Sequence, residues 1–106
     1  MKRYSVILSA KAQADMESIY RYIADELLSP QNAMDLYNRI ADAILSLDSF
    51  PERFHAVRLP QGNPSGIRQM QVGNYSVFYL VRQDDSKPAV AVLRVLYNGS
   101  EYWKKL

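Results

Sequence analysis

Four arginines, one histidine and three tyrosines carry most of the chemical potential in this sequence. Arg53, His55 and Arg58 lie close together in a proline-rich stretch, whereas Arg68, Tyr75, Tyr79, Arg94 and Tyr97 fall in runs that read as strands. A guanidinium offers planar, permanently charged donors that suit phosphate or carboxylate oxygens. Tyrosine rings can stack on bases. His55 is the only histidine, and imidazole can move a proton near neutral pH. Glu52 and Glu101 are acids able to accept one, without a positional motif behind either. There are no cysteines, so a thiolate nucleophile, a thiolate zinc site and a disulfide framework are excluded. With one histidine and no acids clustered at ligand spacing, no metal site is expected.

The elements that must position these residues are legible from periodicity. Tyr4 to Leu8 reads as a strand, and Ser9 is placed to cap a helix running through AKAQADMESIYRYIADEL. In that helix Ala12, Met16, Ile19, Tyr20, Ile23 and Leu27 recur every three or four residues as one apolar stripe, from which Tyr22 is absent. Ser29 and Pro30 then open a second helix whose stripe is Ala33, Leu36, Tyr37, Ile40, Ile44 and Leu47. So short a link makes the two helices an antiparallel pair. Residues 51–67 hold three prolines and two glycines and predict a long irregular connection, of the kind that is either functional or mobile. Beyond it, Arg68 to Val72, a Gly73-Asn74 turn, YSVFYLVR, a turn at QDDSKP and AVAVLRVLY predict a hairpin-linked meander. AVAVLRVLY is apolar on both faces and should be central.

The order β-α-α-β-β-β predicts a single α+β domain over residues 1–106, with both helices on one face of a small, largely antiparallel, twisted sheet. The other face would then carry Arg68, Tyr75, Tyr79 and Arg94, giving a basic, tyrosine-rich surface for an anion or nucleic acid. Charge is unevenly divided along the chain. Residues 12–50 hold seven acids against two bases, residues 1–11 three bases and no acid, and residues 51–106 eight bases against four acids. That asymmetry is consistent with an anionic partner for the C-terminal half. Val6 to Leu8 is too short for a signal peptide, and no run of eighteen apolar residues occurs, so a cytoplasmic protein without a membrane span is expected.

YSVILSAKAQADMESIYRYI, the FP after the second helix, SGIRQMQVGNYSVFYLV and VLRVLYNGSEYWKKL together resemble the RelE/ParE superfamily of bacterial type II toxins, over nearly the whole chain. The resemblance implies a compact toxin held by a cognate antitoxin in a hetero-oligomer. It leaves the chemistry divided. RelE-like members cut messenger RNA on the ribosome, whereas ParE-like members inhibit DNA gyrase, and a degraded toxin would keep only antitoxin binding. RNA cleavage through the 2′-hydroxyl needs a base, an acid and charge stabilisation, but no metal or other cofactor.

By this resemblance Arg68 falls on the arginine that begins the second strand of RelE-like enzymes, as a phosphate clamp, or is a structural arginine, since ParE-like members also commonly carry one there; Arg94, by its place in the last strand, is a candidate second clamp. Arg94 could equally pair with Asp15 or Glu17. Tyr97 stands where relatives carry the general acid or a stacking ring. Arg58 falls where relatives place a glutamate or lysine base, and an arginine there can stabilise charge but cannot readily accept a proton. Tyr75, Tyr79, His55 and Arg53 complete the candidate substrate surface. Three arginines favour an anionic substrate, while the absence of lysine from residues 12–86 and of an evident base favours the gyrase inhibitor.

Overall fold

The computed structural model describes residues 3–83 and 87–106. The chain forms β1 (Ser5–Leu8), α1 (Ala10–Arg21), α2 (Pro30–Leu45), β2 (Arg68–Val72), β3 (Tyr75–Arg82) and β4 (Ala89–Tyr97). The sheet order is β1-β4-β3-β2. β1 runs parallel to β4, and the other two pairings are antiparallel. The helical pair packs on one face. β4 has a neighbour on each side, as its two-sided apolar character requires. Part of the QDDSKP turn, residues 84–86, lies outside the described residues.

Both helix stripes face the core at their centres: Ala12, Met16, Ile40, Ile44 and Leu47 are buried against Val72, Val77, Val90, Val92 and Val95 from the sheet, and Ala33 is buried as well. The Ser9 hydroxyl caps α1 by accepting the Ala12 N–H at 3.0 Å. Pro30 takes the first turn of α2, where its missing donor costs nothing. Ser29 is the N-cap residue there but makes no side-chain cap bond.

Two stripe positions depart from expectation. α1 does not continue to Leu27, because a π-helical turn over Tyr22–Glu26 rotates the following residues off the stripe, leaving Leu27 exposed. Tyr37 also lies toward solvent, with its ring edge-on to Tyr20 at 6.2 Å.

The sheet carries one irregularity that matters for the site. Phe78 lies opposite Arg94 but Tyr79 lies opposite Val92, so Leu93 is a bulge without a cross-strand partner. Val92 and Val95 consequently both reach the helical core. Strict alternation would have separated them.

β1 is also much shorter than β4, which leaves the β4 edge unpaired after Val92. Ser9 and Asp15 fill that edge. The Ser9 N–H donates to the Val92 carbonyl at 2.9 Å, its hydroxyl donates to the Leu93 carbonyl at 2.8 Å, and the Asp15 carboxylate accepts the Val95 N–H at 2.9 Å.

Candidate functional site

The face away from the helices is closed. Phe78 and Leu96 project from the sheet there, and Val57, Leu59, Ile67, Tyr102 and Leu106 cover them as a second apolar cluster. The chain that covers them is more ordered than its composition suggests. Asn63 donates to the carbonyls of Val57 at 3.0 Å and Ile67 at 2.9 Å while its own oxygen accepts the Ile67 N–H, so one amide side chain closes the loop. Val57 and Ala56 then bond across to Ile67 and Arg68 as a short ladder. An open, basic, tyrosine-lined sheet face is therefore not what these residues build.

Arg68 and Tyr79 are cross-strand partners and share the face that carries the helices. Tyr79 has no exposed surface, and its hydroxyl donates to the Pro51 carbonyl at 2.6 Å. Arg68 donates to the carbonyls of Phe54 at 2.5 Å and Glu52 at 3.2 Å, with the Glu52 carboxylate 3.7 Å away. Both side chains thus fasten the segment after α2 to the sheet. Arg53 acts on the same segment. Its guanidinium donates to Ser49 O, Phe50 O and Ser46 Oγ and lies 4.8 Å from the Phe54 ring centroid.

Arg94 does not point at solvent either: it forms a two-pronged bond to Asp15, at 2.8 Å from Nε and 2.7 Å from Nη2. The Asp15 hydrogen bonds raise its already high pKa, against a smaller opposing effect of burial. Arg58 and His55 are exposed on the loop, and their side chains have no hydrogen bond or ion pair among the described residues.

Tyr75 and Tyr97 pair across β3 and β4, with ring centroids 5.7 Å apart in an edge-to-face contact. Tyr75 is four residues along β3 from Tyr79, about 13 Å at the usual strand rise, so the candidate tyrosines form no single platform. The Tyr97 ring covers Gly99, where a Cβ would lie 2.7 Å from it. Burial, with the neighbouring Tyr97 and Tyr22 phenols, raises the Tyr75 pKa.

These rings edge a groove of about 740 Å³ that also takes in Ile19, Tyr22, Leu27 and Leu36 from the helices. Tyr22 and Leu27 were not among the sequence-derived site residues. The available signal was an aromatic off the apolar stripe, followed by two leucines at a helix end.

The burial of Tyr79 has a consequence in alkali. Loss of solvent raises its pKa to about 12, with Arg68 and Arg53 partly opposing the rise. Its folded pKa lies above the unfolded value near 10, so the stability it contributes is complete below pH 10. That contribution falls as pH rises from 10 toward 12, because the unfolded chain loses the proton first. Tyr79→Phe should flatten the decline, measured by urea unfolding at several alkaline pH values.

A helical pair on one face of a four-stranded sheet, with a second apolar cluster closing the opposite face, defines a small α+β class in which surface side chains must carry any specificity. The family model described as "ParE toxin of type II toxin-antitoxin system, parDE" matches residues 6–102, and the chain belongs to that family of toxins. Its fold is similar to a solved structure titled "Chromosomal ParDE TA system from P. aeruginosa", at TM-score 0.72 and 19% identity, covering 92% of this chain and 98% of that one. The RelBE2 toxin-antitoxin complex of Mycobacterium tuberculosis aligns at TM-score 0.56 and 23% identity over 90% of this chain and 98% of that one. An archaeal RelE-RelB complex from Pyrococcus horikoshii aligns at TM-score 0.58 and 19% identity over 93% and 98%. No curated protein matches the chain. Among the described residues no helix is long and apolar enough to cross a membrane.

Proposed function

We propose that this toxin acts in the cytoplasm without catalysis, by binding DNA gyrase, and that a cognate antitoxin protein neutralises it by direct association. One observation carries the choice: the arginines that phosphate chemistry would require spend their donors inside the chain. Arg68 binds Glu52 and Phe54, Arg94 binds Asp15, and Arg53 binds Ser46, Ser49 and Phe50 in the segment after α2. An enzyme that cleaves RNA needs preorganised donors aimed at the developing charge, with a proton carrier in reach. Arg58 and His55 alone do not supply that arrangement. A binding protein needs no such machinery, only complementary exposed surface.

Two assays on the purified chain separate the readings. Added to gyrase and relaxed plasmid with ATP, it should suppress supercoiling, and added to ribosomes programmed with messenger RNA it should leave the transcript intact. Cut transcript with normal supercoiling would overturn the proposal in favour of a ribosome-dependent nuclease. Absence of both effects would leave a chain that only binds its antitoxin. Co-expression with the product of an adjoining gene should give one peak in size-exclusion chromatography, and separate elution at micromolar concentration would count against the antitoxin partner.

A further inference from the structure

The tip of the helical pair has features that packing does not require. After the π-helical turn, the Leu27 N–H bonds to the Tyr22 carbonyl and the Ser29 N–H returns to the Ile23 carbonyl, each at 3.1 Å. The Ser29 bond spans one residue more than the six-to-one bond of a Schellman cap, as the preceding π-helical turn requires, and like that cap it wraps around a left-handed position that favours glycine. Here the position is Leu28, at φ 51°. Burial does not compensate for the strain, because Leu28 is 83% exposed, with Leu27 at 56% and Tyr22 at 54%.

Phe50 is the other non-glycine residue at positive φ among those described, and its conformation has a structural use. It turns the chain so that its carbonyl takes the Arg53 N–H and guanidinium, while the next carbonyl, of Pro51, receives the Tyr79 hydroxyl. Leu28 closes the turn between the helices, but glycine would do so without strain, and the leucine side chain is left exposed. A strained position that keeps an exposed apolar side chain is a candidate for external contact. Asp25 and Glu26 lie beside it, exposed and without an ion pair or side-chain hydrogen bond among the described residues.

We infer that the hairpin tip, with Tyr22, Leu27 and Leu28 as an apolar plug and Asp25 and Glu26 as its acidic flank, is the surface that engages the target enzyme. The inference rests on the gyrase reading above. An enzyme that holds DNA exposes cations to the phosphate backbone, and two uncompensated carboxylates beside an apolar plug suit a cavity with a basic rim. An acidic partner would be repelled by the same surface.

Leu28→Gly tests this without threatening the fold, since glycine relieves the positive φ. Its melting temperature should rise by about 4 °C, its co-elution with the antitoxin should persist, and its inhibition of supercoiling should weaken by about tenfold or more, as for a buried interface anchor. Reversing the flank with Asp25→Lys and Glu26→Lys should also weaken inhibition, most at low salt.

If the wild-type chain inhibits gyrase and Leu28→Gly inhibits equally, the tip assignment is overturned while the gyrase reading stands. If Leu28→Gly loses antitoxin binding but still inhibits, the tip belongs to the antitoxin and the assignment is likewise overturned. A wild-type chain without effect on supercoiling overturns the gyrase reading and the tip assignment with it.

Discussion

Asp15→Ala will lower folding stability by about 3 kcal/mol, the lower end of the cost of stranding one member of a buried ion pair, because this pair keeps some contact with water. The pair is partly buried, with the Arg94 and Asp15 side chains 18% and 13% exposed. Water therefore screens it far less than the exposed Arg21–Glu17 or Lys104–Glu101 pairs. Asp15 has a second duty that makes the loss larger than charge alone. Its carboxylate takes the Val95 N–H, a backbone donor left over because β1 ends at Leu8. Alanine would orphan both that donor and the guanidinium.

Asp15→Asn should cost less, because the amide keeps one acceptor oxygen and the same shape while losing charge. Arg94→Ala should fall in the same range as Asp15→Ala, and the double variant should be less destabilised than the two losses added together. Urea unfolding of the four proteins measures this. A loss below about 1 kcal/mol for Asp15→Ala would mark the pair as solvent-screened and free Arg94 for a phosphate, the second-clamp role that its place in the last strand suggested.

The sequence carried the layer architecture well, for identifiable reasons. Ala12, Met16, Ala33, Ile40, Ile44 and Leu47 are buried because helical periodicity is local and needs no knowledge of the rest of the chain. Ser9, Pro30 and Gly73 are legible on similar grounds, each satisfying a demand of its own turn of backbone. Gly73 opens the two-residue hairpin turn at φ 60°.

Which face each strand residue takes was not legible. Alternation assigns faces only in an unbroken strand, and the bulge at Leu93 shifts Arg94 relative to Val92 by one residue. Tyr79 was read as a surface ring because tyrosine is tolerated on either side. Only the distant Pro51 carbonyl, 28 residues away in sequence, makes its burial affordable.

The partners of the arginines were not legible for a related reason. Arg68 and Arg53 bind carbonyl oxygens, and every residue has a carbonyl, so no side-chain pattern announces such a partner. Loop 51–67 misled in the opposite direction. Its prolines and glycines allowed for mobility, yet a single asparagine side chain makes three hydrogen bonds that close it.

Phe78→Ala should produce a comparable loss, about 3–5 kcal/mol, from the vacated volume and the missing ring contacts. Phe78 has no exposed surface, and its ring stacks on Tyr102 with centroids 5.1 Å apart and planes 27° from parallel. It is the common anchor for two segments outside the four strands. Val57, Leu59 and Ile67 approach from the loop before β2, and Tyr102 and Leu106 from the C-terminal turn.

Removing the ring should therefore raise amide exchange first at residues 56–67 and 100–106, before it reaches the core between the helices and the sheet. Uniform acceleration across the chain would show instead that the two apolar clusters unfold as one unit. Tyr102→Leu offers a milder version that keeps an apolar lid while losing the stacked ring. It should loosen the C-terminal turn and leave the helical tip unchanged, so its inhibition of supercoiling should match that of the wild-type chain. A loss of inhibition in Tyr102→Leu without a matching loss of stability would move the target-binding surface from the acidic helical tip to the basic C-terminal side.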